Sequence, residues 1–290
     1  MKLQSKPLCA LAFALLGTLA AASSAQAVTL EQVKERGVIR VAVANEIPYG
    51  YMDMSGKAQG AGPEVAQAIM ERLGVKEIKW ETANFGSLIP GLQAKRFDMV
   101  AAEMAILPQR CNTVLFSEPN SSYGEGLLVA KGNPKNIHSY EDFAKTDHKI
   151  AIMAGADQLE MMQALGVPDD RMITISNNAD AISTVATGRA DAYAATGQTA
   201  SDLASKGGGK VELAAEFKDP IIDGNPVRSW GGFAFAKDSE DLRDAVNEVL
   251  TEFKGTQEWK DILTGYGFTE ADVAGSTART TEELCSAEAL

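Results

Sequence analysis

The sequence predicts an α/β fold built from doubly wound sheets. Short β-branched runs alternate with segments whose apolar residues recur at helical spacing, which is the pattern of consecutive strand–helix–strand units. The pattern occurs once before and once after about residue 127, and no internal repeat or low-complexity segment interrupts it. Without the N-terminal leader described next, about 263 of the 290 residues remain, which is enough to bury one large core or two smaller ones.

The N-terminal segment has the three parts of a secretory signal. Lys2 and Lys6 are positive, Leu8 to Leu19 is apolar, and Ala25-Gln26-Ala27 is a small-residue cleavage sequence. We therefore expect residues 1–27 to be removed and the mature protein to lie in the periplasm. The apolar run is too short for a transmembrane anchor. Cys9 lies too early in it for lipid attachment at the cleavage point.

The first half of the chain has a β-α-β-α-β order. The predicted strands are 38–43, 78–81 and 99–102, and the predicted helices are 62–73 and 87–95. Pro108 is placed to begin a further helix after the loop 102–107. That loop follows the carboxyl end of a buried strand, which is the edge where open α/β sheets bind small ligands. Arg110 stands at the start of the helix and offers a planar set of donors suited to a carboxylate.

The second half repeats the alternation. The predicted strands are 127–130, 149–153, 172–175, 190–195 and 233–236, and the predicted helices are 139–144, 157–165, 178–187, 239–253 and 257–263. Gly188 is placed to end the helix 178–187. The helix 239–253 is strongly amphipathic and should therefore cover an apolar core.

Several motifs resemble those of periplasmic solute-binding proteins for polar amino acids, the receptors of ABC importers. The run Gly91-Leu92-Gln93-Ala94-Lys95-Arg96-Phe97-Asp98, followed by Pro108-Gln109-Arg110, resembles their signature, and Ala44-Asn45-Glu46 adds to it. Within this family the closest resemblance is to ectoine and hydroxyectoine receptors, and it covers nearly all of the mature chain. It implies two lobes joined by a two-strand hinge, with 28–126 and 233–290 in lobe 1 and 127–232 in lobe 2.

The resemblance implies a binding protein and not an enzyme. A monomer without a cofactor would close over a small zwitterionic or cationic solute and deliver it to membrane permease and ATPase subunits. Two alternatives stay open. One is a periplasmic dehydratase-like enzyme on the same fold, with Glu103 or Asp157 as an acid or base. The other is a receptor that presents its closed form to a membrane sensor.

Four matched positions are implied ligand contacts. In the ectoine receptors, the glutamate at the position of Glu46 holds the cationic ring nitrogens, and the aromatic residue three positions later, here Tyr49, stacks on the ring. Phe85 matches a second stacking aromatic residue, so two faces of a flat cation could be covered. Arg110 is expected to pair with an anionic group of the ligand.

Three positions depart from the ectoine-receptor pattern, and two others bear on the ligand. Ala105 replaces an aromatic residue, and Glu103 stands where the relatives have a small residue. Asp157 replaces a hydroxyl donor, although it also stands where it would cap the helix 157–165. The acid that binds the α-amino group in amino-acid receptors is absent near Thr196, which argues against an ordinary α-amino acid. Trp230 is a candidate replacement aromatic residue from the other lobe. The added acids predict a ligand with more positive character than ectoine.

Charge and cysteine content limit the other possibilities. The formal charge of −12 becomes −14 without the two leader lysines, which argues against binding to nucleic acid or an anionic membrane. The mature chain keeps Cys111 and Cys285, and an exported pair is expected to form a disulfide. We predict no metal site, because His138 and His148 do not stand at ligand spacing from them.

Overall fold

The computed structural model describes residues 27–286. The strands are β1 Val38–Val43, β2 Tyr51–Met52, β3 Ala58–Gln59, β4 Glu77–Thr82, β5 Met99–Ala105, β6 Val114–Phe116, β7 Ser121–Tyr123, β8 Glu125–Ala130, β9 Ile150–Met153, β10 Met172–Ile175, β11 Ala192–Thr196, β12 Val211–Leu213, β13 Ile221–Ile222, β14 Asn225–Pro226 and β15 Ser229–Ala236. The helices are α1 Leu30–Arg36, α2 Ala61–Arg72, α3 Leu88–Gln93, α4 Pro108–Cys111, α5 Glu141–Lys145, α6 Gln158–Ala164, α7 Ala179–Ala186, α8 Gly197–Lys206, α9 Glu240–Phe253, α10 Gln257–Gly265, α11 Glu270–Gly275 and α12 Thr281–Ser286. Most of the predicted signal, residues 1–26, lies outside the described residues. Within them, no helix has the length and apolar character needed to cross a membrane.

The first lobe is built on the sheet with strand order β4-β1-β5-β15-β6, and β7 extends β15. Strands β4, β1 and β5 run parallel, and β15 runs antiparallel to β5. The buried face of α9 carries Leu242, Val246 and Leu250, which recur every four residues and so lie on one side of the helix. Full burial of each such side chain stabilises the fold by roughly 1.5–3 kcal/mol.

The second lobe is built on the sheet with strand order β10-β9-β11-β8-β12. Strands β10, β9 and β11 are parallel, while β8 and β12 pair antiparallel to their neighbours. The chain enters this sheet at Gly124, between β7 of the first sheet and β8 of the second, and it returns to the first sheet with β15. The fold is therefore an α/β two-lobed binding-protein fold. The lobe boundaries after residues 126 and 232 stay predictions.

Strand β5 is longer than predicted, so the expected loop 102–107 is wrong. The strand continues to Ala105 because it pairs with β15 there, in the register Gly231 to Ala105. A β-bulge interrupts the pairing, since Val100 and Met104 of β5 face Ala234 and Gly232 of β15. Three residues of β5 thus stand opposite one residue of β15, a distortion that has no signal in an apolar run.

Several elements were absent from the prediction, among them α1, α8, β6, β7 and β12. The strands and helices that were predicted are present. Two of them, 38–43 and 172–175, have the predicted bounds, and the others have shifted ends. Gly188 follows α7 with a φ of +71°, a left-handed conformation that favours glycine.

Cys111 and Cys285 form a disulfide, so that prediction is confirmed. The bond joins α4, which follows the central strand, to the C-terminal helix α12. Its sequence separation is 174 residues, for which the chain-entropy model gives a stabilisation of about 5 kcal/mol. The bond thereby fixes the short helix that carries Arg110.

Candidate ligand-binding site

A small cavity of about 20 Å³ lies between the two lobes. Its wall contains seven of the predicted ligand residues: Glu46, Tyr49, Phe85, Glu103, Ala105, Asp157 and Thr196. They come from the carboxyl ends of β1 and β4, from β5, and from the carboxyl ends of β9 and β11. Loops at these ends converge because the parallel strands of each sheet end at one edge. Arg110 and Trp230 are not among the lining residues.

Glu46 is a buried acid that reaches the opposite lobe. Its Oε1 accepts a hydrogen bond of 2.8 Å from the Thr199 hydroxyl on α8. Burial raises the pKa of Glu46, the hydrogen bonds from Thr199 and Asn178 lower it, and the charge of Asp157 raises it further. Its carboxylate therefore faces another acid across the cavity, a balance that favours a cation between them.

Tyr49 packs edge-on against two aromatic rings and makes one hydrogen bond to the second lobe. Its ring lies edge-on to Tyr123 at 5.0 Å and to Phe268 at 5.7 Å. Its hydroxyl donates to Gln198 Oε1 at 3.0 Å. These neighbours fix the ring, so a flat cation would meet a surface that is already in place.

Arg110 lies beside the cavity and links the lobes. It is 6% exposed, and it donates to the carbonyl oxygen of Ala105 at 2.9 Å and to that of Gly155 at 2.8 Å. Its guanidinium carbon stands 5.6 Å from the centre of the Phe85 ring, one of the cavity walls. Pairing of Arg110 with an anionic ligand group stays a prediction, since these contacts are to backbone carbonyls.

Glu103 is fully engaged within the first lobe. It lies in the β5 bulge with a φ of +48°. Asn120 Nδ2 donates to Oε1 at 2.6 Å, and the Ser121 hydroxyl donates to Oε2. Burial raises the pKa of Glu103 to about 7, while these two hydrogen bonds and the charge of Lys254 lower it. Both carboxylate oxygens therefore have protein partners, although the residue forms part of the cavity wall.

Asp157 does not cap α6, so that expectation is wrong. It stands at the N-cap position, but its side chain makes no hydrogen bond to the helix backbone. Its Oδ2 instead accepts a 3.0 Å hydrogen bond from the Ser229 hydroxyl, at the start of the strand that returns to the first lobe. The backbone of Asp157 is helical rather than extended, which turns the carboxylate away from the helix N–H groups.

Trp230 lies at a different cavity, so it is not brought to the interlobe site. Its indole nitrogen donates to the Gly275 carbonyl oxygen at 2.9 Å, and the Arg279 guanidinium stands 5.6 Å from its ring. This other cavity also contacts Leu107 and Leu284. Trp230 therefore packs the C-terminal region onto the hinge.

The sequence analysis did not identify several residues of the cavity wall. Tyr123 and Tyr193 line the cavity and supply aromatic surface that Ala105 does not. Gln158 also lines it, and its amide nitrogen donates to Glu125 Oε2 at 2.7 Å. Glu125 could have been noticed, because a charged residue begins an otherwise apolar strand, Gly126 to Ala130. The tyrosines gave no such signal, since an aromatic residue in a strand is ordinary core.

The lobes are closed in this structure. Three side chains of the first lobe reach the second: Glu46 contacts Thr199, Tyr49 contacts Gln198, and Arg110 contacts Gly155. Across residues 27–286, no group of three or more His, Cys, Asp or Glu side chains could hold a metal ion. What the arrangement offers is an enclosed space with acids, aromatic faces and hydroxyl groups, which suits binding of a small polar solute.

Comparisons with known proteins agree with this geometry. Residues 39–270 match the bacterial extracellular solute-binding proteins, family 3. A probable amino-acid ABC transporter periplasmic-binding protein, y4tE of Sinorhizobium fredii, is 61% identical over 91% of this chain and 88% of its own length. The L-cystine-binding protein TcyJ of Escherichia coli is 27% identical over 84% of this chain and 88% of its own.

Solved structures give the same result. The crystal structure of EhuB in complex with hydroxyectoine has a TM-score of 0.81 and 35% identity, covering 89% of this chain and 98% of EhuB. An ancestral arginine-binding protein bound to arginine has a TM-score of 0.68 and 27% identity, covering 80% of this chain and 99% of its own. From its sequence match, its two-lobed fold and its closed interlobe cavity, the chain belongs to the bacterial extracellular solute-binding proteins, family 3.

Proposed function

We propose that this protein is the solute-binding component of an ABC importer and that its ligand is a small cationic or zwitterionic solute. The choice of ligand rests on one observation, the charge of the cavity wall. The wall contains the acids Glu46 and Asp157, and among the described residues no cationic side chain lines it. Buried carboxylates without a cationic partner are costly. A positively charged ligand would supply that partner.

Aromatic side chains support the same class of ligand. Tyr49, Phe85, Tyr123 and Tyr193 all line the cavity. Ring faces attract cations, by about 2 kcal/mol or more where water is excluded. A quaternary amine, an amidinium ring or an alkylammonium group fits such a wall better than a neutral or anionic solute does.

The relatives narrow the class further. The similarity to an amino-acid ABC transporter protein, to EhuB and to an arginine-binding protein supports polar, nitrogen-containing solutes. Asp157 and Ala105 favour a ligand with more positive character than ectoine, because one adds a negative charge and the other removes a stacking ring from that position.

The proposed transport role implies a cellular location and membrane protein partners. The periplasmic relatives support a periplasmic location after removal of residues 1–27, and delivery to membrane permease and ATPase subunits. Lobe 1 would comprise 28–126 and 233–290 and lobe 2 would comprise 127–232, with the protein acting as a monomer. Ligand contacts on both lobes would then stabilise the closed form.

A thermal-shift screen of the purified mature protein tests the proposal. The panel is ectoine, hydroxyectoine, glycine betaine, basic amino acids and small amines. A ligand at a hundred times its dissociation constant adds about 2.7 kcal/mol of stability. If a neutral or anionic solute stabilises the protein and no member of the panel does, the proposed ligand class is wrong.

Glu46→Gln provides the residue-level test. The amide keeps the shape and can still accept from Thr199 but carries no charge, so binding of the best cationic ligand should weaken by about 2 kcal/mol or more. Isothermal titration calorimetry measures this change. Glu77→Gln, an exposed acid on β4, is the control and should bind as the wild type does. Equal affinity of Glu46→Gln and wild type would contradict the assignment of Glu46.

A further inference from the structure

Glu125, the first residue of β8, has one carboxylate oxygen without a partner. The residue is 5% exposed. Its Oε2 accepts from Gln158 Nε2 at 2.7 Å and from the Tyr140 hydroxyl at 3.1 Å. Its Oε1 is buried and has no hydrogen-bond partner among the described residues. A buried oxygen in this state costs free energy unless something else supplies a donor.

The carboxylate lies in the partition between two cavities. Gln158, which bonds to it, lines the interlobe cavity described above. Glu125 itself lines a second, more open cavity, together with Gln198, Asp219 and Asp272. Gln158 and Glu125 thus form a hydrogen-bonded partition, with one residue in the wall of each cavity.

The charged neighbours of Glu125 are acids. Burial is the main cause that raises the pKa of Glu125, and the charges of Asp157 and Asp219 raise it further, while hydrogen bonds from Gln158 and Tyr140 lower it. The cation in the second cavity, Arg228, is already bonded to Asp272. Within residues 27–286, negative charge therefore gathers around the unpartnered oxygen, while the cation of the second cavity is engaged by Asp272.

We propose that Glu125 binds a second cationic group of the solute, an alkylammonium or a guanidinium. The inference rests on the proposed function, since it assumes that the first positive group lies between Glu46 and the aromatic wall. An N–H donor of the second group would satisfy Oε1, and its charge would offset Glu125 and Asp157 together. The ligand is then an elongated dication, with its positive groups at separate ends.

Matched probes separate one cationic group from two. We compare 1,4-diaminobutane with n-butylamine, and agmatine with n-butylguanidine, by isothermal titration calorimetry on the mature protein. For the wild type, we expect the dication of at least one pair to bind about tenfold tighter or more than its partner. Glu125→Gln should remove most of that difference, lowering affinity for the dication by about tenfold and for the monocation by less than about threefold.

Glu160→Gln is the matched control. Glu160 lies on α6, two residues after Gln158, and its Oε2 is also buried without a hydrogen-bond partner among residues 27–286. It lines neither of the two cavities. It should leave the preference for the dication intact. A preference for the dication that survives in Glu125→Gln, or that disappears equally in Glu160→Gln, would overturn the assignment.

A measurement on the wild type alone covers the case in which Glu125→Gln does not fold. Calorimetry at pH 6 in buffers of different ionisation enthalpy counts protons released on binding. The dication should release more protons than its monocationic partner, because a second positive group beside Glu125 favours the ionised form of this carboxyl, whose pKa burial raises. Equal proton release by both would contradict the proposal.

The failures can be told apart. If monocations and dications bind equally well, and binding depends on Glu46 and not on Glu125, this inference fails and the proposed function stands. If no cationic probe binds and a neutral or anionic solute does, both fail.

Discussion

Two buried glutamates, Glu103 in the first sheet and Glu125 in the second, differ in the hydrogen-bond donors that the protein supplies to them. Glu103 of β5 receives donors on both oxygens, from Asn120 and Ser121, and Lys254 contributes a favourable charge. Glu125 of β8 has one oxygen without a partner and has acids as charged neighbours. Burial raises the pKa of both groups, so burial does not distinguish them. The number of hydrogen-bond donors to each carboxylate does distinguish them. Glu103, with donors on both oxygens, stabilises the fold, whereas Glu125 has an oxygen that a ligand could bind.

The largest expected effect is a loss of stability when Glu103, which has donors on both carboxylate oxygens, is replaced. Glu103→Ala leaves the donors of Asn120 and Ser121 buried without acceptors and opens a cavity, so unfolding should become easier by about 4 kcal/mol. Urea denaturation of the ligand-free protein measures this. A change below about 1 kcal/mol would show that the network is not structural, and the contrast with Glu125 would not hold.

The next effect is a dependence of stability on pH. Burial raises the pKa of Glu103 to about 7 in the folded protein, whereas the unfolded chain loses this proton near pH 4.3. Between these values the folded state holds the proton and the unfolded state does not, so stability falls as pH rises. The contribution should be on the order of 3–4 kcal/mol. Glu103→Gln should reduce the slope, and equal slopes in calorimetric scans of variant and wild type would exclude titration of Glu103.

The smallest effect concerns the partly partnered acid. In the ligand-free protein, Glu125→Gln removes an acid beside Asp157 and Asp219 while leaving an oxygen and an added donor, so stability at pH 8 should be unchanged or higher by about 1 kcal/mol. Thermal denaturation at pH 8 compares the variant with wild type. A loss as large as that expected for Glu103→Ala would mean that both acids serve the fold.

The fold was largely readable from local patterns. The run Val38–Val43 has the predicted bounds, because a segment rich in β-branched residues favours a strand without help from the rest of the chain. The Cys111–Cys285 bond followed from the compartment alone. The carboxyl end of β5 was misplaced, since its last residues pair with β15, far away in the sequence.

The site was only partly readable, for a related reason. Alignment with a family pattern located backbone positions such as Glu46 and Tyr49 at the cavity wall, but it did not reveal what each side chain contacts. Glu103 lies in the wall, yet its oxygens face Asn120 and Ser121 because the bulge turns the chain there. The bonding of Asp157 to Ser229 and the separate position of Trp230 likewise depend on the returning strand. Such contacts join distant segments and leave no periodic signal.

The link from Arg110 to the carbonyl of Gly155 has a consequence for how long a solute is held. A Cβ on Gly155 would meet the Gly86 backbone at 2.8 Å, so the lobes touch closely beside this hydrogen bond. On the side of the second lobe, both contacts are made by backbone atoms of Gly155. We call these two contacts of Gly155, with Arg110 and with Gly86, the interlobe clasp. The lifetime of the closed form, and hence the dissociation rate of any solute, therefore has a component set by this clasp. Exchanging cavity residues would change which molecule is captured, whereas altering the clasp would change how readily the transporter removes it.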